Sequence, residues 1–333
     1  MDRKLMKIFH FSLLWRCNEK CVFCAKGPAP EGARQQFPLR EVIAGLGEAR
    51  KEGCEALSLD GGEPTLRPDL PKILKAAIEL GYRKITVMTN AVVLSEPAKA
   101  AALAKAHPRA AELVSFCVSL HSHRAPVAEK LTRSKNTFKR TLAGMSNLRK
   151  AGFETDLYHV INAWNYRELP EFAKFATGPG KARKVILSFI YPARHILRKM
   201  YLYPKHSDVR PYLGKALQVL AKAGVPVSLS NCSVLPFCLM KGVEKLYLSA
   251  YEDSLNAVAS DTSKTEKVPF FFSSFDSVNR VKYPQCSACA LDRCCGGMWK
   301  FYSIIHGAGE VKPYKGPFLK KFLSKLPAGR GPK

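Results

Sequence analysis

The amino-acid sequence predicts an α/β protein, a partial (β/α)6 TIM-like barrel with a small Cys-rich C-terminal extension. Two observations lead to this fold class. Apolar, β-rich runs alternate with amphipathic helical patterns from the N-terminus to about residue 230, which is typical of βα units and a parallel sheet. After residue 230 this alternation gives way to cysteines set among aromatic and Gly-rich surroundings. The 333 residues are enough for one large α/β domain with an appendage, or for two domains.

Six apolar runs are predicted to be strands, and the segments between them are predicted to be helices. The predicted strands are 8–14, 56–60, 84–90, 113–120, 155–161 and 185–190. Three helical stripes have apolar residues at three-and-four spacing. One begins after Pro38, a second ends before Gly81 and a third ends at Gly152. In a βα barrel the active site lies at the carboxyl ends of the strands. Polar residues that follow the predicted strands are therefore the candidate site residues.

Composition limits the class of protein. With 47% hydrophobic and 24% charged residues, the chain is neither wholly disordered nor collagenous nor fibrous. It has no run of about 18 uncharged apolar residues, so we expect no membrane span, and its start shows no signal peptide. Lys and Arg number 53 against 27 Asp and Glu, a net charge of +26, which predicts attraction to polyanions or acidic substrates. Cysteines clustered at short spacings favour metal binding in a reducing compartment, so we expect a cytoplasmic protein.

Three thiols follow the first predicted strand within eight residues, at Cys17, Cys21 and Cys24. A structural zinc site needs four ligands, so a zinc knuckle here would have to borrow a distant fourth cysteine. A four-iron cluster held by three thiolates instead leaves one iron open to a ligand that is not protein. The spacing therefore favours a reactive cluster, with zinc as the alternative.

This C-x3-C-x2-C run, with the aromatic Phe23 before its third cysteine, resembles the signature of the radical S-adenosylmethionine (radical SAM) superfamily. Gly61, Gly62, Glu63 and Pro64, at the end of the second predicted strand, resemble that family's second motif. The resemblance implies a [4Fe-4S] cluster on the three thiolates, with S-adenosyl-L-methionine (SAM) on the open iron. It also implies reductive cleavage of SAM to a 5′-deoxyadenosyl radical, which abstracts hydrogen from a substrate.

The same resemblance implies cofactor-binding roles for individual residues. Glu63 is expected to meet the methionyl amine of SAM, the two glycines to let the backbone approach the ligand, and Pro64 to stiffen the turn. Three polar residues at later strand ends are expected to contact the ribose or carboxylate of SAM, with capping of the next helix as the alternative for each. These residues are Asn90, Ser119 and Asn162. The sequence identifies no dedicated catalytic acid or base.

A second group of thiols lies in the C-terminal region. Cys286, Cys289 and Cys295 give a C-x2-C-x5-C run, Cys238 is the best fourth ligand with Cys232 in reserve, and Cys294 competes with Cys295. The set resembles the auxiliary-cluster regions, called SPASM or twitch, of radical SAM enzymes. The match is partial, because a full SPASM pattern has a further cysteine where this chain has Trp299. One auxiliary [4Fe-4S] cluster is therefore expected, and zinc is the alternative.

These predictions divide the chain into a radical SAM barrel (1–230), an auxiliary Fe–S region (231–311) and a basic tail (312–333). The predicted protein is a radical SAM enzyme that acts on a peptide or a small molecule and takes electrons from a reductant such as flavodoxin or ferredoxin. Lys130 to Lys150 holds seven basic and no acidic residues, so two alternatives stay open. They are a metal-stapled nucleic-acid-binding protein and a radical SAM enzyme that modifies RNA.

Overall fold

The computed structural model describes residues 6–29, 31–191, 196, 198–229, 236–239, 242, 246, 280–290, 292, 295 and 297–315. Among these residues, no helix combines the length and apolar character that a membrane crossing requires. The predicted basic tail is described only as far as Lys315.

Seven parallel strands form one sheet whose spatial order follows the chain order. They are β1 (Ile8–Ser12), β2 (Ala56–Asp60), β3 (Lys84–Thr89), β4 (Val114–Ser119), β5 (Glu154–Ile161), β6 (Val185–Phe189) and β7 (Val227–Leu229). This arrangement confirms the predicted α/β partial barrel. The sequence predicts six strands and misses β7, because a three-residue strand is too short to show a two-residue period.

Helices connect the strands and cover the outside of the sheet, as parallel pairing requires. In the described part of the barrel they are α1 (Leu39–Lys51), α2 (Leu70–Glu79), α3 (Pro97–Ala104), α4 (Ala110–Leu113), α5 (Ala125–Thr132), α6 (Thr137–Lys150), α7 (Leu169–Thr177) and α8 (His206–Lys222). Their apolar stripes are buried as predicted; Leu46 on α1 and Ile73 on α2, for example, are fully inaccessible to solvent.

Strand register determines which polar residues meet at the carboxyl edge of the sheet. Ser12 pairs with Asp60, so β1 and β2 end side by side. Leu59 pairs with Val87, which brings the end of β3 next to the end of β2. The loops that leave these three strands therefore begin within one small area, at the edge where a βα barrel holds its active site.

The described C-terminal residues pack on the barrel. Strands β8 (Arg280–Val281) and β9 (Met298–Trp299) form an antiparallel pair, followed by helix α9 (Lys300–His306). The ring of Tyr302 stacks on that of His206 at the start of α8, with centroids 3.7 Å apart, and its hydroxyl accepts the His206 backbone N–H at 2.8 Å. The same hydroxyl donates to Glu310. Met298, Trp299 and Tyr302 belong to the hydrophobic core of the barrel.

Two glycines in helix interiors give a matched stability test. A Cβ on Gly144 of α6 would lie 2.1 Å from the Ala91 carbonyl oxygen, whereas a Cβ on Gly47 of α1 would meet no atom within 4 Å. Because the Ala91 oxygen belongs to backbone, we expect Gly144→Ala to lower the free energy of unfolding by about 1–3 kcal/mol. Gly47→Ala should raise it by about 0.5–1 kcal/mol through helix propensity. Urea denaturation of both variants measures this, and equal effects would contradict the close packing of α6 on the loop after β3.

Candidate active site and thiol-lined cavity

The loop after β1 places three thiols at the carboxyl edge of the sheet. Cys17, Cys21 and Cys24 form no disulfide, and each interacts electrostatically with the other two. Burial raises the pKa of the Cys17 thiol to about 11 and that of Cys21 well above its ordinary value. The three predicted cluster ligands therefore lie together in one partly enclosed place.

Backbone hydrogen bonds and a small hydrophobic cluster hold this thiol loop. The Lys20 and Val22 N–H groups donate to the carbonyls of Thr132 and Leu131 at the end of α5, each at 2.9 Å. Val22 packs in a hydrophobic cluster separate from the main core, formed by Val22, Phe23, Leu131, Ile190 and Leu202. The loop is thus anchored to the far side of the barrel opening as well as to β1.

Phe23, the aromatic residue before the third cysteine, lies inside this cluster. Its side chain is buried, and its ring meets the ring of His121 edge to face with centroids 4.6 Å apart. His121 is itself buried and accepts the Val160 backbone N–H at 3.1 Å. In the described structure Phe23 therefore packs the loop onto the end of β4, and its predicted cofactor contact stays a prediction.

Gly61 and Gly62 allow the turn after β2 to lie directly against the thiol loop. Gly61 has a φ of +136°, and a Cβ on Gly62 would lie 2.0 Å from the Arg16 carbonyl oxygen. The Gly62 N–H donates to the Leu14 carbonyl at 2.7 Å, and the Glu63 N–H donates to that of Arg16 at 2.9 Å. The close approach in the structure is therefore to protein backbone, and an approach to ligand remains only expected.

The carboxylate of Glu63 is the most heavily hydrogen-bonded group at this edge. Its side chain is buried and accepts the Thr65 N–H at 3.0 Å, the Thr65 hydroxyl at 2.6 Å, the Thr89 hydroxyl at 2.6 Å and the Asn90 N–H at 2.6 Å. Burial raises the pKa of Glu63, and these donors oppose the rise. Pro64 begins the 3-10 turn Pro64–Leu66, which brings the Thr65 donors to the carboxylate.

Asn90 connects the end of β3 to the thiol loop. Its side-chain amide donates to Asn18 Oδ1 at 2.7 Å and lies 3.9 Å from the Cys17 sulfur, and its Oδ1 accepts the Val92 N–H at 3.0 Å.

The other two strand-end candidates lie further along the sheet. Ser119 is half-buried at the end of β4. Asn162 is fully buried and uses its amide within its own turn, where it accepts the Trp164 N–H and donates to the Val160 carbonyl. These bonds lie within the turn and cap no helix, since the N-cap of the next helical turn, Tyr166–Glu168, is Asn165.

Two charged residues near the thiols escaped the sequence analysis. Lys26 donates to the Leu14 carbonyl at 2.6 Å, lies over the Trp15 ring and interacts electrostatically with Cys17 and Cys24. Glu19 is close enough for a weak contact with the Cys21 sulfur at 3.7 Å. Burial and the neighbouring Glu63 carboxylate raise the pKa of Glu19 to about 7. Their position within or directly after the cysteine run is the sequence signal that identifies them.

A second group of thiols lines one cavity in the C-terminal region. Cys238, Cys286, Cys289 and Cys295 all face it, and none of them forms a disulfide. Burial raises the pKa of Cys238 to about 11, and the other three thiols contribute to the rise. The structure thus brings the four predicted auxiliary ligands together. The competing candidates Cys232 and Cys294 lie outside the described residues.

Each of these four sulfurs accepts a backbone N–H. Tyr283 donates to Cys286 at 3.4 Å, Tyr314 to Cys289 at 3.3 Å and Gly297 to Cys295 at 3.4 Å, while the Lys312 backbone donates to Cys238. Gly297 has a φ of +82°, and a Cβ there would lie 2.4 Å from the Val281 carbonyl oxygen. Across the described ranges, no group of three or more His, Cys, Asp or Glu side chains is arranged to hold a single metal ion.

The partial barrel and its three-thiol loop define a class of domain, and comparison with known proteins identifies it. Residues 14–176 match the family model of the Radical SAM superfamily, so this part of the chain is a radical SAM domain. The match confirms the predicted superfamily for this part of the chain, and members of that superfamily are enzymes.

Relatives found by sequence match a smaller share of this chain than the solved structures that share its fold. A protein of Saccharolobus solfataricus named "Probable GTP 3',8-cyclase" is 28% identical over 200 residues, or 60% of this chain and 61% of its own length. Streptococcus suis SuiB bound to S-adenosylmethionine shares the fold with a TM-score of 0.61 at 17% identity, over 93% of this chain and 76% of SuiB. SuiB bound to the precursor peptide SuiA gives a TM-score of 0.59 at 17% identity, over 93% and 75%. The chain spans about 61% of the length of that curated relative.

The hydrogen bonds of Glu63 predict a loss of stability that needs no cofactor to measure. In Glu63→Gln the amide nitrogen cannot accept, so at least one buried donor is left without a partner. We expect the metal-free protein to lose about 1–3 kcal/mol of unfolding free energy. The control is Glu48→Gln, which changes an exposed carboxylate on α1 and should be neutral. Denaturation of both variants by urea measures the difference, and a neutral Glu63→Gln would contradict the proposed role of this carboxylate as a structural tie.

Proposed function

We propose that this protein is a radical SAM enzyme whose Cys17, Cys21 and Cys24 hold a [4Fe-4S] cluster. The observation that carries the proposal is the meeting of three thiols in one loop at the carboxyl edge of a radical SAM domain. When bound, the cluster and SAM supply a 5′-deoxyadenosyl radical that abstracts hydrogen from the substrate.

The donor set around these thiols fits such a cluster. Cys17 Sγ accepts the Glu19 N–H at 3.4 Å, and hydrogen bonds to the sulfurs help set a cluster's potential. Asn90 holds the Cys17 end of the loop through Asn18, and Glu63 fixes the Asn90 backbone. Lys26 supplies positive charge beside Cys17 and Cys24, opposing their mutual repulsion once both are thiolates. These residues orient the thiols, and Gly61, Gly62 and Pro64 determine where the loop can lie.

We further propose that Cys238, Cys286, Cys289 and Cys295 hold one auxiliary [4Fe-4S] cluster of the SPASM or twitch type. Four thiols on one cavity, each accepting a backbone N–H, support this reading. A closed site of four thiolates also suits zinc, so metal analysis decides between them.

The proposed substrate is a peptide or a small molecule. The relatives named for GTP cyclisation make GTP the first small molecule to test, and the complex of SuiB with SuiA supports a peptide. Anaerobic incubation with SAM and dithionite, followed by mass spectrometry of each candidate, identifies the product. Modification of an RNA oligomer alone would favour the RNA alternative.

Replacing Cys17, Cys21 and Cys24 together with Ala should abolish formation of 5′-deoxyadenosine, because no thiolate remains to hold the first cluster. The reconstituted variant should keep about half of the iron, since the two thiol groups are separate. The reciprocal control replaces the four C-terminal thiols and should keep the other half. Loss of all iron in the triple variant would contradict two separate sites, and colourless wild-type protein containing zinc would contradict the enzyme proposal.

Cys294 and Cys295 are neighbours that cannot ordinarily both bind one compact cluster. Cys295 faces the cavity and accepts the Gly297 N–H, so Cys295→Ala should lower iron and acid-labile sulfide and reduce thermal stability. Cys294→Ala is the matched control and should do little. Iron content and melting temperature of both variants measure this, and the reverse asymmetry would reassign the ligand to Cys294.

A further inference from the structure

Two of the three most exposed large hydrophobic residues in the described structure lie next to each other beside the thiol loop. Met200 and Tyr201 are 52% and 55% exposed and begin a 3-10 turn, Met200–Leu202. The Tyr201 ring stacks on Trp164 with centroids 5.9 Å apart. An exposed apolar patch that a folded protein keeps at its surface commonly marks an interaction site.

This turn is joined directly to the loop that carries the thiols. Lys199 donates to the Val22 carbonyl at 2.7 Å and interacts electrostatically with Cys24. Leu202 is buried in the same hydrophobic cluster as Val22, and Cys21 and Trp164 pack against that cluster. Trp164, on which Tyr201 stacks, and the thiol Cys21 therefore pack against the same hydrophobic cluster.

Cations surround the aromatic pair. The Lys130 ammonium lies 4.2 Å from the centre of the Trp164 ring. Arg133 is exposed and close enough to Lys199 to lower its pKa, and Lys20 is exposed on the thiol loop itself. Among the described residues none of these cations forms an ion pair, and the acidic residues nearest in sequence, Glu19 and Glu129, are half-buried. We call Lys20, Lys130, Arg133, Trp164, Met200 and Tyr201 the cationic aromatic patch.

We propose that the cationic aromatic patch is the docking surface for an acidic protein that delivers one electron to the cluster held by Cys17, Cys21 and Cys24. The inference rests on the function proposed above and names the partner of the same site. One electron leaves the reduced flavin or iron–sulfur centre of the partner and enters the cluster, and no atom or proton crosses the interface. Unpaired cations complement the acidic partner, and the aromatic pair supplies the apolar centre of the interface.

The geometry favours a protein over a nucleic acid. Single-stranded nucleic acids bind by stacking bases on free aromatic faces. Lys130 and Tyr201 already contact the Trp164 ring, so Trp164 is a poor stacking platform. Binding of single-stranded RNA is therefore an outcome of the test and not part of the proposal.

The test measures binding of two acidic electron carriers, a plant-type [2Fe-2S] ferredoxin and a flavodoxin, by isothermal titration. We expect wild-type protein to bind at least one of them, more weakly as salt rises. The double variant Lys130→Glu with Arg133→Glu should weaken binding by about tenfold or more. Tyr201→Ala, an exposed truncation that spares the fold, should weaken binding at high salt as well, because its contribution is apolar.

The matched control carries the same charge change at the other end of the barrel. Lys105 follows α3 on the way to β4, and Lys150 ends α6 shortly before β5, so both lie toward the amino ends of the strands, opposite the ends that carry the thiols. Lys105→Glu with Lys150→Glu should leave binding within about twofold of wild type. Equal weakening in both double variants would mean only net charge matters and would overturn the proposal.

Reduction by dithionite separates this inference from the proposed function. Dithionite needs no docking surface, so Lys130→Glu with Arg133→Glu should cleave SAM at the wild-type rate with dithionite and slowly with reduced ferredoxin or flavodoxin. Wild-type protein that fails with dithionite contradicts the proposed function. Wild-type protein that succeeds with dithionite, but binds neither carrier or binds both independently of the patch, overturns the docking surface. Patch-dependent binding of poly(U) RNA without patch-dependent binding of either carrier also overturns it.

Discussion

The arrangement of the thiol loop depends on one buried carboxylate. Glu63 accepts four hydrogen bonds from three residues of two neighbouring segments, the turn after β2 and the end of β3. A buried carboxylate is costly unless its oxygens are hydrogen-bonded, so the protein keeps Glu63 only by bringing these donors together. Because one of the donors is the Asn90 backbone, the same interaction aims the Asn90 amide at the thiol loop. A single charge thus sets the relative positions of two strand ends and of Cys17.

The loop held in this way lies between two hydrophobic clusters. Its start continues β1 into the main core through Leu13 and Leu14, and its middle enters the smaller cluster through Val22 and Phe23. Close packing resists displacement of the loop at both ends, and Cys21 packs against the smaller cluster. The thiols are therefore held on a rigid support while Cys17 and Cys24 stay exposed. This is the combination that a reactive metal centre requires.

The cations of this strongly positive chain have different surroundings in different parts of the structure. Many cations lie on outer helices, where they interact mainly with water and salt. Around Trp164 and Tyr201 the cations instead border an apolar patch whose Trp164 packs, like Cys21, against the hydrophobic cluster of Val22 and Phe23. The cations of the patch lie beside the thiols that are proposed to hold a cluster, and for this reason we assign them to the docking of an electron donor.

The sequence by itself determined six of the seven barrel strands, the helical stripes and both groups of cysteines, because each depends on local periodicity or short spacing. Predicted strand 56–60 coincides with β2, and the other predicted strands differ from those observed only at their ends. Tertiary structure alone decided what the motif residues touch. In the folded chain Gly61 and Gly62 lie against protein backbone, and Glu63 accepts its four hydrogen bonds. The Asn162 amide bonds within its own turn, and Cys238 lies on the same cavity as thiols about fifty residues away. Spacing along the chain carries no information about these contacts, since they form between segments that only the packing of the barrel brings together.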